Sequence, residues 1–454
     1  MLRPKDRRGI LRALGALAAF GFALGIVAFD ARAAGGCSSD PAGPPTGWLR
    51  LRTTGYRFQA VDLYNVTLNR LGAYQEFDGA LSGLARGRLA LRVSGRFADD
   101  LYLKEKVTDR SRLYVGHLEA RPVPHLTARL GRQFVQEGST GLTLDGLWLT
   151  ARPDPRWEVR LWGGARAPLS RTFEFGRVAD EGAWGARVGC QPYRGVRLAA
   201  SGAYRERDGR IAARPLGIEG QFTAIPHLPG VRAVGRVEYD LELDTWNRAE
   251  ALAQWRPGVG LPVVAAQVID RRQTIDAASY FSRFVDEAKR VRLGRASVRY
   301  DYRRGFGAEA EWVGSFVGRR TATRVGGSLL LPYGRVGYSA RLGAAGEESR
   351  WFGDLAYAVL PWVRLEVGAT LLTYAILEDA PESEEHDLTT VYGRARVEPR
   401  EGVGILLEVQ NVTNPDSNHD VRFLAGLDLT AGLGASRFGL QPRCCGQTSG
   451  GRQR

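Results

Sequence analysis

The sequence has no long apolar run beyond its N-terminus, few cysteines and almost no lysine. After residue 29 no stretch approaches 18 consecutive apolar residues, which excludes membrane-spanning helices. The four cysteines lie in no CxxC or Cys/His spacing, so the sequence supports no zinc site, haem attachment site or legible disulfide framework. Only four of the 63 basic residues are lysine, so arginine carries nearly all of the positive charge. With 44% hydrophobic residues, the chain is too apolar to be disordered.

Catalytic motifs are also absent. The chain contains no GxSxG, HExxH, Walker or dinucleotide-binding motif. Two His-Asp dipeptides, at residues 386–387 and 419–420, lie in neighbouring polar connections. Adjacent residues of a strand point to opposite faces, so neither dipeptide is a catalytic dyad by itself. We therefore predict that the protein is not an enzyme and has no catalytic residue, cofactor or metal site.

Residues 1–33 have the three-part layout of a secretory signal peptide. Basic residues precede an apolar run over residues 13–29, and Ala31 and Ala33 supply the small residues that a signal peptidase reads. The segment carries six basic and two acidic residues, so its removal changes the net charge from +14 to about +10. A retained inner-membrane anchor is the alternative, and lipidation of Cys37 stays open.

The rest of the chain alternates apolar and polar residues with a period of two. Val363 and Leu365 flank Arg364, and the same pattern recurs over residues 391–398 and 403–410. Successive residues of a strand point to opposite faces, so each of these strands has one apolar and one polar face. Helical spacing is almost absent. The pattern predicts an all-β protein.

Short turns rich in proline and glycine alternate with longer polar connections along the chain. Ten hairpin units between residues 85 and 430 give about 20 strands, and residues 48–79 are long enough for two more. The expected range is therefore about 16–22 strands. A change of apolar parity near Gly294 predicts a β-bulge. The longer connections include residues 167–181, 271–289, 374–387 and 413–419.

Three all-β architectures are compatible with many strands. A soluble sandwich has roughly seven to nine strands per domain, and a propeller or solenoid requires sequence repeats, which are absent. A transmembrane antiparallel up-and-down β-barrel has strands of about ten residues, apolar toward lipid and polar toward the lumen, and this chain matches that pattern. Aromatic residues at predicted strand ends fit a membrane–water interface. They are Trp48, Trp157, Tyr193, Trp255, Phe306, Tyr333, Trp351 and Trp362.

Two motifs resemble a hairpin of outer-membrane porin-like β-barrels of Gram-negative bacteria. They are LGRQF at residues 130–134 and GLTLDGL at residues 141–147. The segment ILLEVQNVTN at residues 405–414 is similar to a late strand of TonB-dependent receptors, but the chain has no room for their plug. The resemblance implies the bacterial outer membrane, with short periplasmic turns and long extracellular loops. The expected regions are a signal peptide (1–33), an N-terminal periplasmic segment (34–46), the transmembrane barrel (47–438) and a polar C-terminal tail (439–454).

Arginine dominates the predicted lumen face. A charge on a strand face must avoid lipid, so these side chains either favour anions in a hydrated pore or form ion pairs that stiffen the wall. The predicted pore-lining residues are Arg88, Arg92, Arg96, Arg160, Arg187, Arg197, Arg232, Arg236, Arg299, Arg324, Arg335, Arg341, Arg364, Arg394, Arg396 and Arg422. Carboxylates on the same face include Glu158, Glu238, Asp240, Glu250, Asp301, Glu309, Glu311, Glu366, Glu398 and Glu408.

We predict a porin-like channel for passive or weakly selective diffusion of small hydrophilic, anionic solutes. The alternative is a non-channel barrel: a surface enzyme of the omptin type, which uses His and Asp at a barrel mouth, or a structural or assembly protein with a closed lumen. Arginines surround the whole barrel instead of forming one patch, so nucleic-acid binding is rejected. The expected partners are outer-membrane lipid, lipopolysaccharide and small solutes. A homotrimer, as in many porins, and a monomer both stay open.

Two connections have features beyond their length. Residues 271–289 carry a short helical stripe, which suggests a segment that folds into the lumen and narrows it. An ordinary outer loop is the alternative. Residues 378–387 are acidic and contain no basic residue, which fits either a divalent cation bridging to lipopolysaccharide phosphates or a solvated loop. The stripe consists of Tyr280, Phe281, Phe284, Val285 and Ala288.

Overall fold

The computed structural model describes most of the predicted barrel region. The predicted signal peptide and the C-terminal tail lie outside the described residues. No helix in the described part of the chain is long and apolar enough to cross a membrane. The described residues are 45–61, 67–100, 111–138, 140–168, 173–223, 228–272, 290–302, 305–318, 320–343, 346–375, 385–414 and 417–433.

Twenty-three strand segments follow one another along the chain, and each pairs antiparallel with its neighbours. Period-two alternation of side chains allows one face of each strand to be apolar and the other polar. The segments are β1 (Thr46–Val61), β2 (Thr67–Gly83), β3 (Leu89–Asp100), β4 (Arg112–Val123), β5 (Leu126–Glu137), β6 (Thr140–Asp154), β7 (Trp157–Arg166), β8 (Gly182–Tyr193), β9 (Val196–Arg207), β10 (Arg210–Ala213), β11 (Pro215–Phe222), β12 (Val231–Asp240), β13 (Thr245–Trp255), β14 (Val263–Arg272), β15 (Arg290–Asp301), β16 (Gly307–Val317), β17 (Arg320–Leu331), β18 (Gly334–Gly343), β19 (Glu347–Leu360), β20 (Val363–Ala375), β21 (Glu385–Arg400), β22 (Val403–Asn414) and β23 (Ser417–Leu433).

The segments form a closed barrel of 22 strands. β10 and β11 are two parts of one strand, since both pair with β9 and the break falls at Arg214, directly before Pro215, which has no N–H to donate. β1 pairs with β2 on one side and with β23 on the other, and this pairing closes the sheet. The predicted all-β antiparallel barrel is confirmed. The two strands beyond the expected 20 are β1 and β2, which overlap residues 48–79, where the sequence allowed a further hairpin.

The two ends of the barrel differ in their connections. Six hairpins at one end, which also holds the start of β1 and the end of β23, turn through two residues each. The other end carries longer segments such as residues 167–181, together with several two-residue turns. One predicted long connection, residues 413–419, is short, because β22 continues to Asn414 and β23 begins at Ser417. Pairing of the two strands over these residues replaces the expected loop.

Contacts between strands that are not neighbours identify the inner face of the barrel. Arg187 on β8 lies 3.6 Å from Glu137 on β5, and Arg236 on β12 donates to the carbonyl oxygen of Gly138 at 3.3 Å. These groups can meet only across the inside of a closed sheet. The pairing register then assigns every other residue of each strand to the inner or the outer face.

The outer face is apolar and carries aromatic side chains near both ends. Trp246 and Trp255 lie nine residues apart on β13 and share the outer face, because the register shifts by one residue at Asn247. Their partners on β12 are eight residues apart, roughly 26 Å along the strand, or about 20 Å of barrel height at a tilt of about 40°. That height is close to the apolar band of about 25 Å found in transmembrane barrels. Aromatic contacts mark the same two levels. They include Tyr333 with Tyr357 and Trp184 with Tyr204.

Trp48 departs from the predicted interface belt. Its parity on β1 is that of Arg50, and it lines an internal cavity with that arginine. The strand end alone suggested an interface position. The pairing register shows that this residue has the parity of the lumen face.

The bulge predicted near Gly294 is also wrong. β15 pairs with β14 and β16 in uninterrupted register through this glycine. The apolar residues of β15 change from one face to the other because its first residues lie near the end of the barrel, where the outward side chains are polar. Near its end, outward Arg292 pairs with outward Asp270 at 3.2 Å, while Val291 and Leu293 face inward.

Candidate functional site

The lumen wall carries the arginines singled out from the sequence, with one exception. Arg88 lies in the β2–β3 connection, where its carbonyl oxygen accepts from the backbone N–H of Arg121 at 2.8 Å, so it belongs to no strand face. That these residues line a conducting pore stays a prediction. On the inner face, by register, lie Arg92, Arg96, Arg160, Arg187, Arg197, Arg232, Arg236, Arg299, Arg324, Arg335, Arg341, Arg364, Arg394, Arg396 and Arg422.

Sequence reasoning missed two inner arginines at the seam of the barrel. Arg50 and Arg52 on β1 both bind Asp428 on β23, at 2.8 Å from Arg50 Nε and 3.2 Å from Arg52 Nη2. Their alternation with Leu49 and Leu51 was a usable signal. It was not used, because the strand pairing that brings β1 against the far end of the chain is not visible in the sequence.

The tip of the β5–β6 hairpin is held on the inner face by charged groups. Glu137 accepts from Arg160 at 2.6 Å and lies near Arg187, while Gly138 reaches Arg236 on β12. Four strands separate β6 from β12 around the wall when β10 and β11 count as one. The hairpin tip therefore lies inside the lumen and narrows it. We call these contacts the inner clasp (Glu137 and Gly138 with Arg160, Arg187 and Arg236).

A row of glycines marks where this hairpin bends. Gly131, Gly146 and Gly164 are register partners on β5, β6 and β7 and share the inner face. A Cβ atom at any of them would collide with a carbonyl oxygen of a neighbouring strand. Gly131 also has φ +125°, which L side chains rarely adopt. The row permits a close approach of backbones that a side chain would block.

Apolar side chains fill the corner beneath the bent hairpin. Val135, Leu142 and Leu144 of the hairpin pack on Trp162 and Ala183 of the adjacent wall, and all five are buried. They form the hydrophobic cluster of the described residues, on a face that is otherwise polar. Their burial of apolar area stabilises the inward position of the hairpin.

Ion pairs between neighbouring strands hold many of the other inner arginines. Arg394 lies between Glu408 at 2.7 Å and Glu366 at 3.3 Å, and Arg335 binds Asp354 at 2.8 Å. A carboxylate next to a guanidinium partly cancels its positive field, so a paired arginine attracts an anionic solute less strongly. These pairs correspond to the wall-stiffening alternative drawn from the sequence.

Other inner arginines have no carboxylate partner among the described residues. Arg364 and Arg396 are directly opposite each other on β20 and β21. The fields of two like charges in directly opposed positions add, so the pair favours a positive potential on this part of the inner wall. The arginines without such a partner are Arg92, Arg96, Arg197, Arg232, Arg364 and Arg396.

A cavity of 1390 Å³ opens on the inner wall of β1, β2 and β21–β23, toward the end with the short turns. Arg50, Arg96 and Arg396 line it together with Glu76 and Trp48. The cavity lies on a wall separate from the packed hairpin corner. A hydrated solute in this cavity would meet both basic and acidic side chains.

The histidine and acidic residues form no reactive centre among the described residues. His386 faces inward against the Tyr374 ring, with 5.6 Å between ring centroids, whereas Asp387 faces outward and accepts from Thr373 at 2.7 Å. The side chain of His419 lies outside the described residues. The part of the chain that the structure describes contains no cluster of three or more potential metal ligands.

Two segments singled out from the sequence fall largely outside the described residues. β14 ends at Arg272 and β15 begins at Arg290, so residues 273–289 are not described. The acidic connection 378–387 is described from Glu385 onward, and Glu385 and Asp387 belong to β21. A constricting role for the first and a cation-binding role for the second stay predictions.

Comparisons with known proteins bear on the fold alone. No family model and no curated protein matches this sequence. The siderophore receptor PirA from Pseudomonas aeruginosa has 12% identity over 84% of this chain and 80% of its own, with a TM-score of 0.53. OccK11 (OpdR) from Pseudomonas aeruginosa has 13% identity over 86% of this chain and 96% of its own, with a TM-score of 0.43.

A closed 22-stranded barrel with an apolar outer face and a charged inner face is the architecture of transmembrane barrels. The chain has the fold of the β-barrels found in Gram-negative outer membranes. The resemblance expected from the sequence is confirmed at the level of the fold. In this barrel, the inward hairpin and the basic cavity wall, which is separate from the packed corner, are the features that bear on function.

Proposed function

We propose that this outer-membrane barrel is a channel for passive or weakly selective diffusion of small hydrophilic anions. The observation that carries the proposal is the set of inner arginines without a carboxylate partner among the described residues, led by the opposed pair Arg364 and Arg396. Arginine stays protonated at any physiological pH, so the field persists. The protein acts without catalytic residues or a cofactor.

In the proposed orientation the end with the short turns and both barrel termini faces the periplasm. The other end, with residues 167–181 and the connection 273–289, faces outward, where lipopolysaccharide is the lipid. Apolar outward side chains between the two aromatic levels contact the hydrocarbon. This arrangement follows the pattern of transmembrane barrels, which have short periplasmic turns.

Planar-bilayer recording of the purified barrel tests the proposal directly. Discrete conductance steps with a reversal potential that indicates anion preference at low salt support it. A barrel that inserts without conducting contradicts it and favours a closed lumen. Cation preference at low salt contradicts the anionic part and indicates that carboxylates such as Glu309 dominate the narrowest section.

Removing the opposed arginine pair is expected to weaken anion preference. In Arg364→Gln/Arg396→Gln, the anion-to-cation permeability ratio should fall roughly twofold at about 10 mM salt, where the screening length is about 30 Å. The difference should shrink at physiological salt, where charges are screened over about 8 Å. Reversal potentials across a salt gradient measure both effects.

The matched control removes an ion pair without changing net charge. Arg335→Gln/Asp354→Asn deletes the 2.8 Å pair on the same inner face. Its permeability ratio should equal that of the unmodified barrel. An equal change in both double variants would indicate that unpaired arginines have no special role in selectivity.

The connection 273–289 is a second candidate for narrowing the lumen. Its helical stripe predicts that deletion of Gln273–Glu287 raises single-channel conductance. The measurement is again planar-bilayer recording. Unchanged conductance would identify the segment as an ordinary outer loop and leave the β5–β6 hairpin as the constriction.

A further inference from the structure

The largest fully buried side chain of the described residues is an arginine on the outer face. Arg132 and its register partner Asp145 lie opposite in parity to Gln133 and Leu144, and so point away from the lumen. Nε and Nη2 of Arg132 donate to the two carboxylate oxygens of Asp145 at 2.6 and 2.7 Å. The side chains are 0% and 4% exposed. A buried ion pair on the outer face of the barrel is stable only if another segment shields it and bonds to its remaining N–H groups and carboxylate oxygens.

A segment of the β7–β8 connection provides that cover. We call residues 173–177 the strap. The carbonyl oxygen of Glu174 accepts from Arg132 Nη2 at 2.5 Å, and the N–H of Gly176 donates to Asp145 at 3.1 Å. The ring of Phe175 lies over the guanidinium, 5.6 Å from ring centroid to Cζ. Phe173 stacks on Phe97 of β3 with 5.8 Å between ring centroids.

The covered pair is adjacent to the bend in the hairpin. Arg132 follows Gly131 and Asp145 precedes Gly146, and these two glycines are register partners on the inner face. The bend moves the tip of the β5–β6 hairpin into the lumen. The outer faces of β5 and β6 then turn away from the line of the barrel wall, and other groups must pack against them. The strap and the charge pair occupy that side, and the inner clasp holds the other.

We propose that Arg132, Asp145 and the strap position the constriction: they hold the β5–β6 hairpin inside the lumen from its outer side. They touch no solute and act through the hairpin. The strap spans from β7 to β3 and is bonded to both strands of the hairpin, so straightening the hairpin would break the pair's backbone contacts. The conductance consequence rests on the proposed channel function, whereas the position of the hairpin does not.

Disulfide crosslinking reads the hairpin position without requiring conduction. A Cβ atom at Gly138 would lie 2.9 Å from Cβ of Ser201 on β9. This is closer than the roughly 3.5–4.5 Å of a disulfide, so cysteines at these positions can be joined after a small shift of the turn while the hairpin is inward. The probe is Gly138→Cys/Ser201→Cys in a chain whose four native cysteines are replaced by serine. Oxidation should then form the disulfide rapidly, as seen by gel mobility.

The test variant adds Arg132→Leu/Asp145→Leu to the probe. Replacing both partners avoids an unpaired buried charge and removes the bonds to the strap. The disulfide should form about tenfold more slowly, because the inward hairpin becomes a minor state. Leu118→Ala/Leu147→Ala, on the same outer face and free of charge pairs, is the matched control and should leave the rate unchanged.

The same chains give a conductance readout. With cysteines reduced, Arg132→Leu/Asp145→Leu should show higher and noisier single-channel conductance, and closing the disulfide should restore the value of the parent probe. A merely structural pair would lower stability without this rescue. An unchanged disulfide rate in the folded variant, judged by heat-modifiable migration, overturns the proposal.

A second variant tests the proposal if Arg132→Leu/Asp145→Leu does not fold. Replacing residues 173–177 with five Gly and Ser residues leaves both charges in place and removes the Phe173 and Phe175 contacts. Its disulfide should also form more slowly, and the parent rate would overturn the proposal. If the unmodified barrel does not conduct, the proposed function fails, while the crosslinking rates still decide whether the strap positions the hairpin.

Discussion

Replacing Leu407 by arginine is expected to lower the free energy of unfolding of the barrel by about 2–4 kcal/mol. Leu407 lies in the middle of β22, on the outer face, directly opposite Ala395 and Ala425. It is 51% exposed in the isolated chain, and lipid would cover it in a membrane. An arginine here must desolvate its charge in hydrocarbon or pull the strand toward the interface. Ala395→Arg, its register partner, should behave alike.

The matched control lies one residue along β21 from Ala395. Arg396 faces the lumen without a carboxylate partner among the described residues, so Arg396→Gln should change the free energy of unfolding by far less. Reversible urea unfolding in lipid vesicles, followed by tryptophan fluorescence, measures all three variants. Similar losses for Leu407→Arg and Arg396→Gln would show that the assignment of inner and outer faces is wrong.

Shortening the β5–β6 hairpin is expected to raise single-channel conductance on the order of twofold, since a two-stranded ribbon fills roughly 100 Å² of cross-section. Gln133 and Leu144 are register partners, so a two-residue Asn-Gly turn can join them in place of residues 134–143. This change removes the tip, including Glu137, whose bonds to Arg160 and Arg187 hold it inside. Planar-bilayer recording gives the measurement.

The control shortens a hairpin at the same end that makes no described contact across the lumen. In β16–β17, Ser315 and Ala322 are register partners, and an Asn-Gly turn can replace residues 316–321. Its conductance should match that of the unmodified barrel. Equal conductance in both shortened barrels would contradict an inward constriction at β5–β6.

Local alternation was sufficient to predict the faces of the strands. The run from Val391 to Val397 places Arg394 and Arg396 on one face and Ala395 on the other, and the register agrees. Side chains alternate because the backbone is pleated, which is a local property. The same rule placed His386 and Asp387 on opposite faces of β21.

Some errors came from applying that local rule where the environment changes along a strand. The parity change near Gly294 suggested a bulge, but the pairing is continuous and the polar outward residues simply lie near the end of the strand. Trp48 was expected at the membrane interface because it begins a strand, but its parity directs it inward. The sequence of one strand specifies neither the height of a residue along the barrel axis nor the strand with which it pairs.

The sequence by itself determined the all-β class, the antiparallel hairpin order and the inner placement of nearly all the predicted arginines, because pleating and turn chemistry act over a few residues. Only the tertiary structure decided which arginines form ion pairs. Arg394 binds Glu366 and Glu408 because the pairing registers of β20, β21 and β22 place these side chains next to it. The tertiary structure also decided that the β5–β6 hairpin lies in the lumen. That position depends on contacts between groups about 100 residues apart, such as Gly138 and Arg236, which local patterns do not specify.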